Sequence, residues 1–293
     1  PNSYLLPADY SMFVEEFRRY PSFMWIMKPS NGAQGRGIFI VNKLEQIKKW
    51  MSSRSADKDS QGLNYVISRY IERPLLIGGR KFDLRIYVLV TSFRPLRMYL
   101  GDGFARFCNS EYSNDIGELN NPFVHLTNVS VQKQNQAYNP CHGGKWRIAN
   151  LRLYLEATRG LLETKKLFEE IDDLIVHSAK AVQHVMINDR HSFEVYGYDL
   201  LIDSKLKPWI VEVNSSPSLS ATTSSDKQMK TKLIHDVLEI LVPSSNGGQG
   251  HTRGVGDFIL LYDEVIIQES SKNHEEKGRR SADKAKSHCS WRM

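Results

Sequence analysis

Hydrophobic and polar residues alternate most regularly over Lys81–Val90, Lys-Phe-Asp-Leu-Arg-Ile-Tyr-Val-Leu-Val. A period of two marks a β-strand, whose successive side chains point to opposite faces. Lys81, Asp83 and Arg85 then share one face, and Phe82, Leu84, Ile86 and Val88 the other. The charged face continues into apolar Tyr87 and Leu89. That argues against a solvated edge strand and for charges lining a cleft, because a core strand tolerates such groups only with partners. Shorter apolar runs predict strands at Met24–Met27, Ile38–Val41, Tyr65–Ser68 and Val124–Asn128. A hairpin is expected from Met98–Leu100 and Phe104–Phe107, with Gly101-Asp102-Gly103 as its turn and Arg106 on its second arm. Helical patterns cover Asp9–Tyr20, Leu44–Met51, Leu151–Gly160, Leu161–Ile187 and about Ser225–Leu241. In the long helix Leu167, Ile171, Leu174, Ile175, Val182, Val185 and Met186 form an apolar stripe, read as core.

Two more strands, Tyr198–Asp203 and Pro208–Asn214, flank the polar turn Ser204–Lys207 and read as a hairpin. Pairing Asp203 with Pro208 sets Asp199 opposite Glu212, and alternation puts Asn214 on the face of Glu212. Cross-strand carboxylates about 5 Å apart repel. An exposed hairpin with solvated carboxylates fits this stretch alone equally well. If the hairpin is buried, a cation must neutralise the pair, and all-oxygen ligands favour Mg²⁺.

The punctuation between elements sets the domain plan. Ser52–Gly62 reads as a polar, disordered loop, Asn109–Asn121 as a polar excursion and Gln132–Asn150 as a loop carrying His142, a structural hydrogen-bonder. The expected organisation is one domain over residues 1–243, a Gly/Ser linker at 244–256, an apolar segment at 257–267 that docks back, and a disordered charged tail at 268–293. A chain of 293 residues, 41% hydrophobic and 25% charged, can bury a full core. No apolar run is long enough to span a membrane. Three cysteines, Cys108, Cys141 and Cys289, without zinc-ligand spacing suit a reducing cytosol. A formal net charge of +6 favours an acidic partner. No nucleic-acid-binding signature accompanies it, so a protein surface or nucleotide phosphates fit as well.

The strand Met24–Met27 ends on Lys28-Pro29 and is followed by Asn31-Gly-Ala-Gln-Gly-Arg-Gly37 and another strand. Glycine permits close backbone approach and positive φ, so such a loop can lay N–H groups over phosphates. It is no Walker A loop, lacking the Gly-Lys-Ser/Thr and the helix that should follow. An ordinary glycine turn fits it too.

In order, Trp25-Ile-Met-Lys-Pro29, Gly35-Arg-Gly-Ile38, Arg80-Lys-Phe-Asp-Leu-Arg85, His125-Leu-Thr-Asn128, Tyr196-Gly-Tyr-Asp199, Val211-Glu-Val-Asn214 and Ser216-Pro-Ser-Leu219 resemble the motifs of the tubulin tyrosine ligase-like family, within the ATP-grasp ligases. His142-Gly-Gly-Lys-Trp146, Pro74–Lys81 and Ile259-Leu-Leu-Tyr-Asp263 are most similar to the polyglutamylase branch, which includes the catalytic subunit of the tubulin polyglutamylase complex. The resemblance implies an α+β ATP-grasp fold, two subdomains clasping ATP, with the N-terminal subdomain truncated. It implies a nucleotide site of Lys28, Gln34, Gly35, the hinge Ser68, Arg69, Tyr70 and Ile71, then Lys81, Phe82, Asp83, Thr127 and Asn128. Ser68 departs from the Gln that many members carry. Mg²⁺ would be held by Asp199, Glu212 and Asn214, and the incoming free L-glutamate by Arg106, Lys145 and Lys230, with Arg85 and Arg106 catalytic. The implied activity is ATP-dependent addition of glutamate, through isopeptide bonds, to acidic tubulin C-terminal tails. Implied partners are microtubules and non-catalytic complex subunits, with neither nucleic acid nor membrane. The implied location is the cytoplasm and cytoskeleton, at the cilium or flagellum axoneme or the basal body. Alternatives are an ATP-grasp ligase of another amino acid or small acceptor, and a non-catalytic tubulin-binding relative.

Overall fold

The computed structural model describes residues 1–56, 64–141, 143–189, 191–221, 223–242 and 254–268. Expectations for His142, for most of the polar loop, for the linker up to 253 and for the tail beyond Gln268 fall outside these residues.

Two antiparallel sheets face each other across a cleft, in an α+β arrangement. The first is built from β1 (Ser3–Leu6), β2 (Trp25–Pro29), β3 (Phe39–Val41) and β4 (Tyr65–Arg69), in the order β1-β4-β2-β3. Helices α1 (Tyr10–Arg19) and α2 (Leu44–Ala56) cover one side. Alternation along β2 sends Trp25 and Met27 into a core with Phe13, Phe17, Ile47 and Ile67, while Ile26 and Lys28 point to the cleft. Helix α2 runs on to Ala56, so Ser52–Ala56 is helix and not loop.

The larger sheet has the order β10-β9-β6-β7-β12-β11. Its strands are β5 (Leu76–Ile77), β6 (Arg80–Phe93), β7 (Leu96–Phe107), β8 (Lys145–Arg147), β9 (Glu194–Ile202), β10 (Pro208–Asn214), β11 (Gly254–Val255) and β12 (Phe258–Asp263), with β5 paired to β6 and β8 to β7. Between them lie α3 (Pro122–His125), α4 (Val129–Gln132), α5 (Ile148–Arg159), α6 (Leu161–Val182) and α7 (Ser224–Leu241). The alternation of β6 divides the core. Phe82, Leu84, Ile86 and Val88 pack with Leu167, Ile171 and Ile175 of α6. Tyr87 and Leu89 pack on the other face with Met229, Leu233 and Val237 of α7.

Several elements depart from the sequence reading. Met98–Phe107 is no hairpin: β7 is one strand, paired with β6 over its length apart from bulges. Gly101 and Gly103 are there for close approach. A Cβ on Gly101 would lie 2.7 Å from the Phe258 ring, and one on Gly103 2.1 Å from the Arg85 carbonyl oxygen. His125-Leu-Thr-Asn128 is no strand either. Pro122 opens α3, Asn121 Oδ1 accepts the Phe123 N–H, and Asn128 precedes α4. Lys145–Arg147, expected in a loop, forms β8 on β7, and Gly254–Val255, expected in the linker, pairs with β12. The stripe on α6 continues through Ala179; Val182 is 43% exposed and Val185, beyond the helix, 68%.

Candidate active site

The hairpin β9–β10 brings Asp199 opposite Glu212, though not by the expected pairing. Pro208 pairs with Ile202, and a bulge between Ile210 and Glu212 shifts the ladder by one residue. The two residues are direct register partners across the hairpin. Asn214 lies on the same side, donating through Nδ2 to Glu212 Oε1 and to the Gly197 carbonyl, each at 3.3 Å. Its Oδ1 is the atom that can meet a cation.

The three central strands carry an alternating series of charges. Arg85 holds Asp199 with two hydrogen bonds, Nη2 to Oδ2 at 2.8 Å and a short one from Nε. Arg106 forks onto Asp83, Nε to Oδ1 at 2.8 Å, and reaches Asp199 Oδ2 at 2.9 Å. The register explains it: Asp83 pairs with Arg106 across β6–β7, and Arg85 with Asp199 across β6–β9. Burial alone would push Asp199 up, but Arg106 and Arg85 outweigh it and hold its carboxyl below the usual range. Burial pushes Glu212 up, the Asp199 charge pushes it further, and Lys28 opposes both. Arg106 is 6% exposed; burial works against its charge, and Asp83 and Asp199 more than restore it. Its guanidinium is thus committed to two carboxylates, which makes it an organiser of the site.

Lys28 points into the cleft from β2, across from this array, and Lys81 from the start of β6, beside it. Burial depresses the pKa of each. The glycine loop closes beside them: Gln34, Gly35 and Gly37 adopt φ of 63°, 79° and 70°, and Ser130 Oγ donates to the Gln34 carbonyl at 2.9 Å, tying the loop to α4. A Cβ on Gly35 would come within 3.1 Å of Asn128 Oδ1, so the positive φ and the tight packing both call for glycine. At the hinge, the N–H of Arg69 donates to the Asn2 carbonyl and that of Tyr70 to the Met24 carbonyl, each at 2.9 Å.

Lys145 of β8 and Lys230 of α7 converge on Asp226, at 2.9 and 3.4 Å, under the Phe104 ring. Lys230 also donates to the Ser220 carbonyl at 2.5 Å. Asp226 and Ser130 escaped the sequence reading. The spacing of Asp226 and Lys230 on one helix could have flagged the first; nothing local flags the second.

Apart from Phe82, every residue expected at the site lines one cleft of about 810 Å³. Phe82 is 1% exposed and packs on Phe107 in the core behind the strand. Among the described residues no three His, Cys, Asp or Glu side chains form a metal cluster, so a cation here would take two carboxylates and the Asn214 amide. That donor set suits a hard divalent ion. With two contacts from Arg85 and one from Arg106, Asp199 keeps about one acceptor site for it, since a carboxylate has about four.

A cleft lined by Lys28 from one sheet and by Lys81, Asp199 and Glu212 from the other suits an α+β enzyme that handles an anionic substrate. The chain belongs to the tubulin-tyrosine ligase family, whose model matches residues 1–249. It is 50% identical over 277 residues to the probable alpha-tubulin polyglutamylase Ttll1 of Tetrahymena thermophila, covering 90% of this chain and 67% of that protein. It is 46% identical over 263 residues to the probable tubulin polyglutamylase ttll-9 of Caenorhabditis elegans, covering 89% and 62%. To the tubulin polyglutamylase TTLL5 of Homo sapiens it is 36% identical over 257 residues, covering 82% and 19%. The chain thus spans two-thirds or less of the length of these relatives. Among the described residues no helix is long and apolar enough to cross a membrane.

Proposed function

We propose that the chain is the catalytic part of an ATP-dependent tubulin polyglutamylase of ATP-grasp type, which joins free L-glutamate to glutamate side chains in acidic tubulin tails. The observation that carries this is the lining of the cleft: Lys28 on the small sheet faces the large sheet, whose strands carry Lys81 together with Asp199, Glu212 and Asn214. Phosphoryl transfer needs positioned positive charge, because the transition state spreads negative charge over the phosphoryl oxygens. Mg²⁺ bound by Asp199, Glu212 and Asn214 would supply part of that charge.

In the reaction proposed, a tail γ-carboxylate oxygen attacks the γ-phosphorus of ATP, the bond to ADP breaks, and an acylphosphate forms. The amino group of glutamate then attacks the acyl carbon, loses a proton and expels phosphate, leaving an isopeptide bond. Lys28 and Lys81 hold phosphate oxygens. Arg85 and Arg106 fix Asp199 and present positive charge to the acyl phosphate. Lys145 and Lys230 receive a glutamate carboxylate; with Asp226 between them, the subsite carries one net positive charge. The names of the relatives support tubulin as the protein substrate. The same reading assigns the enzyme to microtubules, the axoneme and basal body included, in company with non-catalytic subunits.

The test is incorporation of labelled glutamate into microtubules, with tail-cleaved microtubules and free amino acids as alternative acceptors. ATP-dependent incorporation that disappears with the tails is expected. Incorporation into free amino acids alone would make the chain a small-molecule ligase, and none with any acceptor would make it a binding relative. Lys145→Ala should raise the glutamate requirement at least tenfold and that for ATP much less.

A further inference from the structure

Around the start of β6 lies a hydrogen-bond chain whose protons can all be assigned. His125, at the end of α3, is 3% exposed. Its Nε2 lies 3.0 Å from the Glu118 carbonyl oxygen. A carbonyl only accepts, so Nε2 carries the proton. The neutral ring then presents a bare Nδ1, 2.8 Å from Tyr70 Oη, and the tyrosine must donate to it. The Tyr70 oxygen is left to accept, and Lys81 Nζ donates to it at 3.1 Å. Lys81 also donates to the His125 carbonyl at 2.8 Å. The sequence Lys81 to Tyr70 to His125 to Glu118 therefore runs one way. Burial and the Lys81 charge lower His125 to about 4, which keeps this tautomer in place at neutral pH.

The partners of Lys81 are what give the chain meaning. Arg85, Arg106, Lys145 and Lys230 each rest on a carboxylate. Lys81 is held by two neutral oxygens, so its orientation is fixed while its charge is not cancelled at contact. An ammonium on a four-carbon stem is otherwise a mobile point charge. Three separate elements supply the chain: the segment after β4, the start of β6 and the end of α3. All three residues line the cleft.

We propose that Tyr70 and His125 are positioning residues, which fix the Lys81 ammonium through this directed chain where it receives the phosphate oxygens of a nucleoside triphosphate. The inference rests on the nucleotide reading above and adds to it how one cation is aimed. It predicts a separation of effects, because the base and ribose do not need Lys81 while the phosphates do.

The experiment is titration of the protein with ATP and with adenosine, in the wild type, Tyr70→Phe, Lys81→Met and the double variant, with thermal melting of each. Tyr70→Phe keeps the ring and removes only the hydroxyl. Loss of a hydrogen bond to a charged group is expected to cut ATP affinity about tenfold, with adenosine affinity within twofold of the wild type. The double variant should bind ATP no worse than Lys81→Met alone, since both act through the same ammonium. His125→Gln carries the same expectations should Tyr70→Phe not fold. Equal losses for ATP and adenosine, or additive losses in the double variant, would show a structural role only and overturn the proposal. A wild type that binds no ATP would overturn the nucleotide reading as well. Normal ATP dependence on Lys81 with none on Tyr70 or His125 would overturn this inference alone.

Discussion

Asp199 and Glu212 are two carboxylates in one register pair, yet they respond to proton loss in opposite senses. Asp199 is held below its usual 3.8. Its charge therefore contributes stability above that pH, and the contribution is lost as pH falls through the folded value. Glu212 is raised above its usual 4.5. The unfolded chain releases that proton first, so this group lowers stability as pH rises past about 4.5. Asp199→Asn should destabilise the protein at pH 7 by about 3–5 kcal/mol, because it strands Arg85 and takes from Arg106 one of its two carboxylates. Glu212→Gln should instead raise the melting temperature of the ligand-free protein at pH 7, match the wild type below pH 4, and nearly abolish turnover. Melting curves from pH 3 to 8 check both, and a Glu212→Gln variant less stable at pH 7 would contradict the sign. The carboxylate pair was legible in the sequence because it is a matter of strand parity. The arginines on Asp199 were not, since they come from strands far away in sequence, Arg85 being 114 residues from Asp199.

At the scale of elements, glycine was the ambiguous signal. Gly101-Asp102-Gly103 has the composition of a tight turn, and the same residues serve a strand that passes close to another backbone. The two uses differ in what stands opposite, which local sequence does not record. Gly103→Ala should therefore disrupt the β6–β7 pairing and lower the melting temperature by 10 °C or more, or prevent folding, whereas Gly117→Ala, with nothing within 4 Å of the new Cβ, should change it little; circular dichroism melts separate the two. The hairpin β9–β10 holds a related lesson. Its expected pairing was off by one at the turn, and the bulge before Glu212 restored the facing carboxylates, so the right neighbours were reached by an incomplete route. Val124–Asn128 failed differently: its apolar residues suggested a strand, but Pro122 and the Asn121 cap start a helical turn that takes in Val124 and His125. The alternation of β6 was legible throughout because its two faces meet two different cores.

For the whole molecule, the net charge of +6 and the cleft act over different ranges. If an acidic tail is drawn in by the summed field, its binding must weaken with salt, since the Debye length falls from about 10 Å at 0.1 M to about 3 Å at 1 M. Nucleotide contacts inside the cleft are screened less. Raising salt should release microtubules well before it releases ATP, in cosedimentation and nucleotide titration run side by side, and equal salt slopes would show that the surface does not read acidic tails. The large sheet has a consequence for how the chain is made. Strand β7 is flanked on one side by β12, and the pair Arg97 and Asp263 that closes that flank is separated by 166 residues. At elongation rates of about 5–20 residues per second, roughly 10–30 s pass between the emergence of one strand and the other. Throughout that interval the nascent chain offers an unpaired strand edge that any neighbouring polypeptide can extend. The ribosome, more than the finished enzyme, is where this protein is most vulnerable to aggregation.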